Sequence, residues 1–182
     1  MRSVAFGESL VIEEHLSIQC ETQESSPDLA RLERQNRQVL TLLSALDELP
    51  PSDGGDDHSE YAVELFQINA KLSVLLSLVG ELMSKDWSDM ASTRVMFNDQ
   101  AVSWETSANF AVGLKVMVSL FFEHCPKPLK FMGDVIEQEV TENGQRLVVM
   151  FTGVHEALRD ELTKFIFRRH RRAVATAKTE SP

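Results

Sequence analysis

The sequence is poor in the residues that build disulfide-linked or membrane-embedded proteins. It has two cysteines, Cys20 and Cys125, in 182 residues. That number is too small for a disulfide framework and is typical of a reducing compartment. No apolar run approaches the roughly 18 residues that span a bilayer, and Glu8 interrupts the N-terminus before a secretory signal could form. We therefore expect a cytoplasmic protein with no membrane span.

Basic residues are also scarce. The chain has 18 Lys and Arg against 28 Asp and Glu, a formal net charge of −10. A chain this acidic is not expected to bind nucleic acid or an anionic membrane broadly. Six basic residues and no acidic one lie between Lys164 and Lys178. This run is typical of an interaction tail or of a solvated helix end, and we favour the helix end.

The patterns of catalytic and metal sites are missing. His155-Glu156 is followed by Ala-Leu-Arg, so the His-Glu-x-x-His spacing of zinc proteases is missing. No two histidines of the sequence stand at the spacing of metal ligands. Gly54-Gly55 is not followed by Lys-Ser or Lys-Thr, so it is not a phosphate-binding loop. We expect no catalytic residue, no metal and no cofactor.

What the chain does have is two segments with apolar residues at heptad spacing. Ser26 as N-cap and Pro27 at the first helical position predict a helix that ends near Leu49. A polar turn from Pro50 to Asp57 separates it from a second predicted helix, about residues 58–85. Residues 27–86 are thus expected to form an antiparallel helical hairpin. The predicted heptad seam consists of Leu32, Val39, Leu42, Leu46, Leu49, Tyr61, Leu65, Ile68, Leu72, Leu75, Val79 and Leu82.

These apolar stripes predict self-association. The remaining residues form too small a domain to cover both helices along their length, so the uncovered part should pack against further copies of the chain. In the second helix Leu65, Leu72 and Val79 occupy a positions, and Ile68, Leu75 and Leu82 occupy d positions. This arrangement favours higher-order bundles over parallel dimers. We expect a homotetramer. A dimer that closes a four-helix bundle and an intramolecular role for the hairpin are the alternatives.

The rest of the chain carries β-strand signals. Residues 4–20 are predicted to be extended, because Leu16, Ile18 and Cys20 alternate with polar residues. Residues 94–97, 101–105, 114–122, 131–140 and 146–151 are predicted as further strands, with Glu142-Asn143-Gly144 as a hairpin turn. A final helix is expected over residues 155–174, with Leu158, Leu162, Phe165 and Ile166 on one face.

From Arg94 onward the sequence resembles the PilZ domain. The resemblance rests on the polar loop from Asn98 to Trp104, on Gly113 before Leu-Lys-Val-Met-Val-Ser-Leu, on Val135-Ile136, on Leu147 to Phe151 and on Arg159 to Arg169. It implies an α+β fold, a six-stranded antiparallel β-barrel with a C-terminal helix. Residues 1–26 would supply the first strand or strands, residues 27–86 an inserted coiled-coil hairpin, and residues 87–182 the rest of the barrel and its helix.

The resemblance also implies a ligand motif, and the sequence departs from it. Typical members bind cyclic di-GMP through Arg-x-x-x-Arg and Asp/Asn-x-Ser-x-x-Gly segments, in which guanidinium groups grip phosphate. Residues 8–24 contain no Lys or Arg, and although Asn98 matches, Gln100 replaces Ser and Ser103 replaces Gly. The prediction is an atypical, ligand-independent regulator that contacts pilus or signalling proteins, with roles in type IV pilus function, motility or virulence. The alternative is a receptor for cyclic di-GMP or another nucleotide in a non-standard mode.

Overall fold

The computed structural model describes residues 6–7, 9–23, 27–47, 68, 71–72, 74–75, 78–79, 90–123, 125–141 and 144–179. Its strands are β1 (Ile12–Thr22), β2 (Ser92–Phe97), β3 (Ala101–Thr106), β4 (Lys115–Phe121), β5 (Leu129–Thr141) and β6 (Gly144–Thr152). Two helices have defined bounds, α1 (Leu29–Asp47) and α2 (Glu156–Thr179). The strands close into a barrel in the order β1-β2-β3-β6-β5-β4, with every neighbouring pair antiparallel. The predicted six-stranded barrel with a C-terminal helix is confirmed.

Alternation of apolar and polar residues places the barrel interior. On β4, Val116, Val118 and Leu120 are fully buried, as their spacing predicts. Phe131 on β5 stacks on Phe151 on β6 inside the barrel, with ring centroids 4.3 Å apart. The predicted hairpin between β5 and β6 is also present, because Thr141 pairs with Gly144.

The N-terminus differs from the prediction. The described residues 6–7 and 9–11 precede β1 rather than extending it, because Gly7 has φ +49° and the Ser9 N–H donates to the Phe6 carbonyl oxygen at 3.2 Å. A positive φ is natural for glycine and breaks an extended strand. The structure describes nothing of residues 1–5.

Helix α2 closes the barrel with the face that the sequence predicts. Leu158, Leu162, Phe165 and Ile166 are all buried. The Arg169 guanidinium lies 5.1 Å from the centroid of the Phe165 ring and forms an ion pair with Glu14 of β1 at 2.8 Å. The middle of α2, at Arg169, is therefore held against β1.

Helix α1 packs against its own barrel. Val39, Leu40 and Leu43 are buried in the same core as the barrel residues. Asn36, only 1% exposed, donates from Nδ2 to the Lys130 carbonyl oxygen (2.7 Å) and accepts at Oδ1 from the Lys130 N–H (2.9 Å). This pair of hydrogen bonds satisfies the backbone of Lys130 on β5 and fixes the position of α1 along the strand.

The start of α1 differs from the prediction of Ser26 as N-cap. The helix begins at Leu29, and the Asp28 carboxylate accepts a hydrogen bond from the Arg31 N–H at 3.1 Å. Asp28 is therefore the N-cap, since a carboxylate oxygen accepts this bond well and its charge favours a helix N-terminus.

Helices α1 and α2 lie side by side and run in the same direction. Arg37 forms an ion pair with Glu161 at 2.7 Å, and seven residues further along both helices Arg168 donates to Ser44 Oγ at 2.5 Å. The α1 residues that face α2 and β5 are therefore covered by the chain itself.

Between α1 and β2 the structure describes seven further helical residues: Ile68, Lys71, Leu72, Val74, Leu75, Leu78 and Val79. We call them the central helical residues. All seven are exposed. The predicted loop of the hairpin, and with it the antiparallel arrangement, lies outside the described residues.

Replacing Asn36 by Ala should lower the free energy of unfolding by about 1–3 kcal/mol, because the change removes a buried amide and leaves the part-buried N–H and carbonyl of Lys130 without their side-chain partners. Urea unfolding followed by circular dichroism measures the change. Gln38→Ala, an exposed position on the same helix, is the matched control. A loss no larger for Asn36→Ala than for Gln38→Ala would contradict the role of this amide.

Candidate functional site

The first candidate site is the loop between β2 and β3, which contains the predicted ligand residues. Asn98 is fully buried, and its Oδ1 accepts hydrogen bonds from the N–H groups of Gln100 (2.8 Å) and Ala101 (2.7 Å). The Gln100 carbonyl oxygen accepts from the Phe151 N–H at 2.7 Å. These bonds make Asn98 the residue that shapes the turn.

The side chains of the loop are directed into the protein as well as outward. Asp99, 15% exposed, lies 3.7 Å from the guanidinium of Arg159 on α2. The side chain of Gln100 is exposed, and Ser103 is buried on β3. The structure thus brings Asn98 and Ser103 into the protein, where they contribute to the fold.

Next to this loop, apolar side chains cover part of the outer surface of the barrel. Met96, Ala101, Ile136 and Val148 alternate with interior residues on β2, β3, β5 and β6, and they form a cluster of their own with Phe6 and Val11. We call these four strand residues the outer-face patch. Ser103 pairs with Met96 on one side and Val148 on the other, so it lies in the same row.

The chain covers the outer-face patch with its own N-terminal segment. Phe6 is 2% exposed there, and its carbonyl oxygen accepts from Asn98 Nδ2 at 3.4 Å. The loop that contains Asn98 therefore faces the chain's own N-terminal segment.

The second candidate site is formed by the central helical residues. Ile68, Leu72, Leu75 and Val79, the described part of the second predicted heptad seam, are 52%, 50%, 57% and 43% exposed. Val74 and Leu78 are exposed beside them. An apolar helix surface of this width needs cover, and the described residues of this chain do not supply it.

The other predicted seam residues fall into three groups: buried, half-buried and outside the described residues. Val39 is buried in the intramolecular core, so in this structure it does not reach another copy. Leu32 and Leu42 are half-buried. Leu49, Tyr61, Leu65 and Leu82, and the side chain of Leu46, lie outside the described residues.

The cysteines show no sign of redox or nucleophilic chemistry. Burial, aided by the negative charge of Glu21, raises the pKa of the Cys20 thiol to about 12. Burial also raises the pKa of the Cys125 thiol, which donates to the Lys127 carbonyl oxygen. Both thiols are therefore protonated near neutral pH, whereas a nucleophilic cysteine needs a lowered pKa.

No described helix is long and apolar enough to cross a membrane. Within the same residues, no group of three or more His, Cys, Asp and Glu side chains is placed to hold a metal ion.

Comparison with protein families decides what this barrel is. A family model described as an atypical PilZ domain, cyclic di-GMP receptor, matches residues 40–179. The chain belongs to the atypical PilZ family. The matched range contains the whole of β2 to β6, the central helical residues and α2, so the PilZ assignment includes both candidate sites.

A solved structure has the same fold. It is a pathogenic protein from Xanthomonas campestris, described as a new tetrameric PilZ domain that self-assembles through an unusual helical bundle. The two share 22% identity over 94% of this PilZ chain and 93% of that one, with a TM-score of 0.73. No curated protein matches the chain.

Replacing Asn98 by Ala should destabilise this PilZ domain by about 1–3 kcal/mol, because the buried N–H of Ala101 and the part-buried N–H of Gln100 lose their acceptor. The free energy of unfolding, measured in urea, reports the change. Asn109→Ala is the control, since Asn109 is exposed and pairs with the Gln138 amide. Equal losses in the two variants would show that Asn98 does not shape the turn.

Proposed function

We propose that the chain is a non-catalytic regulatory protein that assembles as a homotetramer through its helical region and acts by protein contacts. The single observation that carries this proposal is the exposure of the six apolar members of the central helical residues, which have no cover within the described chain. The atypical PilZ membership supports a regulatory rather than an enzymatic role.

The tetrameric relative supports the assembly. Its fold matches this chain over nearly the full length of both proteins, and it is described as joined by a helical bundle. In this chain the corresponding region would be residues 27–86, of which Ile68, Leu72, Leu75 and Val79 form the central part. The cover that these side chains need would then be supplied by the same residues of other copies.

The width of the apolar surface favours more than two copies. Leu72 and Val79 at a positions and Ile68 and Leu75 at d positions would be covered by a single partner helix in a two-stranded coiled coil. Leu78 and Val74 lie to one side of that seam and are 49% and 59% exposed. A second neighbouring helix is needed to cover them, as in a bundle of four or more helices.

The outer barrel surface supports a mode of action without the usual ligand. The only basic residue before β1 is Arg2, and residues 8–24 lack Lys and Arg, so the Arg-x-x-x-Arg segment that grips the phosphates of cyclic di-GMP is missing. Asn98 is occupied by backbone hydrogen bonds, and Phe6 covers the surface beside it. A cytoplasmic regulator that contacts proteins of type IV pilus function, motility or virulence signalling is the role that the PilZ resemblance implies.

Replacing Leu72 by Glu should break the tetramer, because a carboxylate would be buried in an apolar seam without a partner. Size-exclusion chromatography with light scattering should give about four times the chain mass of 20.5 kDa for the unaltered protein and a smaller mass for Leu72→Glu.

Val140→Glu is the matched control. Val140 is 82% exposed on β5, so this variant makes the same kind of change away from the helices and should keep the tetramer mass. A monomer mass for the unaltered protein at all concentrations, or no change in Leu72→Glu, would contradict the proposed assembly.

A second candidate function is that of a cyclic di-GMP receptor with a non-standard binding mode. It is favoured by the family description, which names cyclic di-GMP. We expect no measurable heat when cyclic di-GMP is titrated into the full chain, because the phosphate-binding arginines of the usual site are missing. Saturable binding in the micromolar range would favour the receptor instead.

A further inference from the structure

The C-terminal half of α2 presents apolar side chains to solvent. Phe167 is 53% exposed and Val174 is 42% exposed, and the residues from Arg171 to Ala175 are exposed on every side of the helix. Because residues three and four apart are neighbours on a helix surface, Phe167, Arg171 and Val174 lie on one side of α2. We call these three residues the α2 stripe.

The α2 stripe faces away from the parts of the chain that α2 packs against. Leu162 is buried against the barrel, and Arg169 forms its ion pair with β1. At roughly 100° per residue, Phe167 is roughly 140° around the helix axis from Leu162, and Val174 is equally far from Arg169. Arg168, which donates to Ser44 of α1, points in a third direction. The described barrel and α1 therefore leave this side of the helix open.

The charge of this part of α2 is opposite to that of the rest of the chain. Residues 164–178 contain six basic residues and no acidic one, whereas residues 1–163 contain 12 basic and 27 acidic residues, a net charge of −15. The guanidinium of Arg171 lies 5.9 Å from the centroid of the Phe167 ring. The stripe thus offers a cation between two apolar side chains, which is the complement of an acidic surface with apolar residues.

We propose that the α2 stripe packs on an acidic surface of a neighbouring copy of the chain within the assembly. This inference rests on the proposed function, because the helical region must first bring the copies together. Residues 1–163 of every copy supply the negative charge that the stripe fits. Two stripes would repel each other, and a chain with a net charge of −10 is a poor ligand for an anionic membrane.

The position of the stripe agrees with a contact between copies. Helix α2 runs beside α1 in the same direction, and Arg168 lies at Ser44, three residues before α1 ends at Asp47. The chain continues from that end of α1 into the helical region through which we propose that the copies assemble. The stripe therefore lies near the place where a second copy would approach.

The contact would also offset a cost of assembly. Copies that each carry a net charge of −10 repel one another. Placing the cation of Arg171 against carboxylates of a neighbour reduces this repulsion, and the same contact covers Phe167 and Val174.

The test is photo-cross-linking of the full-length chain with p-benzoylphenylalanine in place of Val174. Irradiation should give a species of twice the chain mass of 20.5 kDa, and mass spectrometry should locate the cross-link in residues 1–163 of the other copy. The matched control carries the same group in place of Val140, which is 82% exposed on β5. It should give no species of double mass.

Charge variants of the Val174 photo-cross-linking chain test the role of Arg171. Arg171→Glu should lower the yield of the double-mass species by about threefold or more, since even an exposed ion pair contributes up to about 1 kcal/mol. Arg171→Gln, which removes the charge without reversing it, should give an intermediate yield. Arg31→Glu is the control, because Arg31 is an exposed arginine at the other end of the helix pair. Equal yields in the Arg171 and Arg31 variants would overturn the proposal.

Light scattering on the same samples separates this inference from the proposed assembly. A tetramer that gives no cross-link between copies would overturn the stripe contact alone, and so would cross-links that join residues 164–178 of two copies. Such a tetramer binding to phosphatidylglycerol vesicles would assign the stripe to an anionic membrane instead. A monomer would overturn both proposals. Double-mass species that persist in Leu72→Glu would support the stripe contact and contradict assembly through the helical region.

Discussion

The structure depends on how α1 is attached to the barrel. Asn36 exchanges two hydrogen bonds with the backbone of Lys130, and Val39, Leu40 and Leu43 beside it are buried in the barrel core. An amide buried this deeply is stable only with both partners present. Because this α1 surface is used within the chain, it is not available to cover the central helical residues. Those residues are left with an apolar surface that another copy of the chain can cover.

The outer barrel surface beside Asn98, like the barrel-facing side of α1, is used for contacts within the chain. A typical PilZ ligand loop offers its polar groups to a nucleotide. In this chain Asn98 directs one oxygen to two backbone N–H groups and its amide nitrogen to the Phe6 carbonyl oxygen, and the apolar outer-face patch lies beside it. The polar groups of Asn98 thus serve contacts within the chain. The surface of the helical region that we assign to contacts between copies, formed by Ile68, Leu72, Leu75 and Val79, is apolar, although the chain as a whole is strongly acidic.

The sequence predicted the elements whose burial follows a simple period. The strands and α2 agree with their alternating or helical apolar spacing, because that spacing reports which side of an element is buried. It does not report what covers the buried side. The heptad series through Leu32, Val39 and Leu42 indicated an apolar stripe on α1, but the face that meets the barrel runs through Asn36, Val39, Leu40 and Leu43. A polar residue at the centre of that face could not be recognised from apolar spacing.

The cover by Phe6 was also missed, although the sequence contained a signal for it. Leu147 to Phe151 is a continuous apolar run, and such a run is typical of a strand that is buried on both faces. Only one face of β6 can line the barrel interior, so something had to lie over Val148. The N-cap was misplaced for a local reason, since Ser26 and Asp28 are both good caps and spacing alone does not choose between them.

The central claim is that the exposed apolar residues of the helical region are covered by other copies of this chain. Isotope-filtered nuclear Overhauser measurements on a mixture of methyl-labelled and unlabelled protein test it directly. We expect contacts between the methyl groups of Leu72, Leu75 and Val79 in one copy and protons of the same helix in another. Contacts of these methyl groups with barrel residues of their own copy, and none between copies, would contradict the claim.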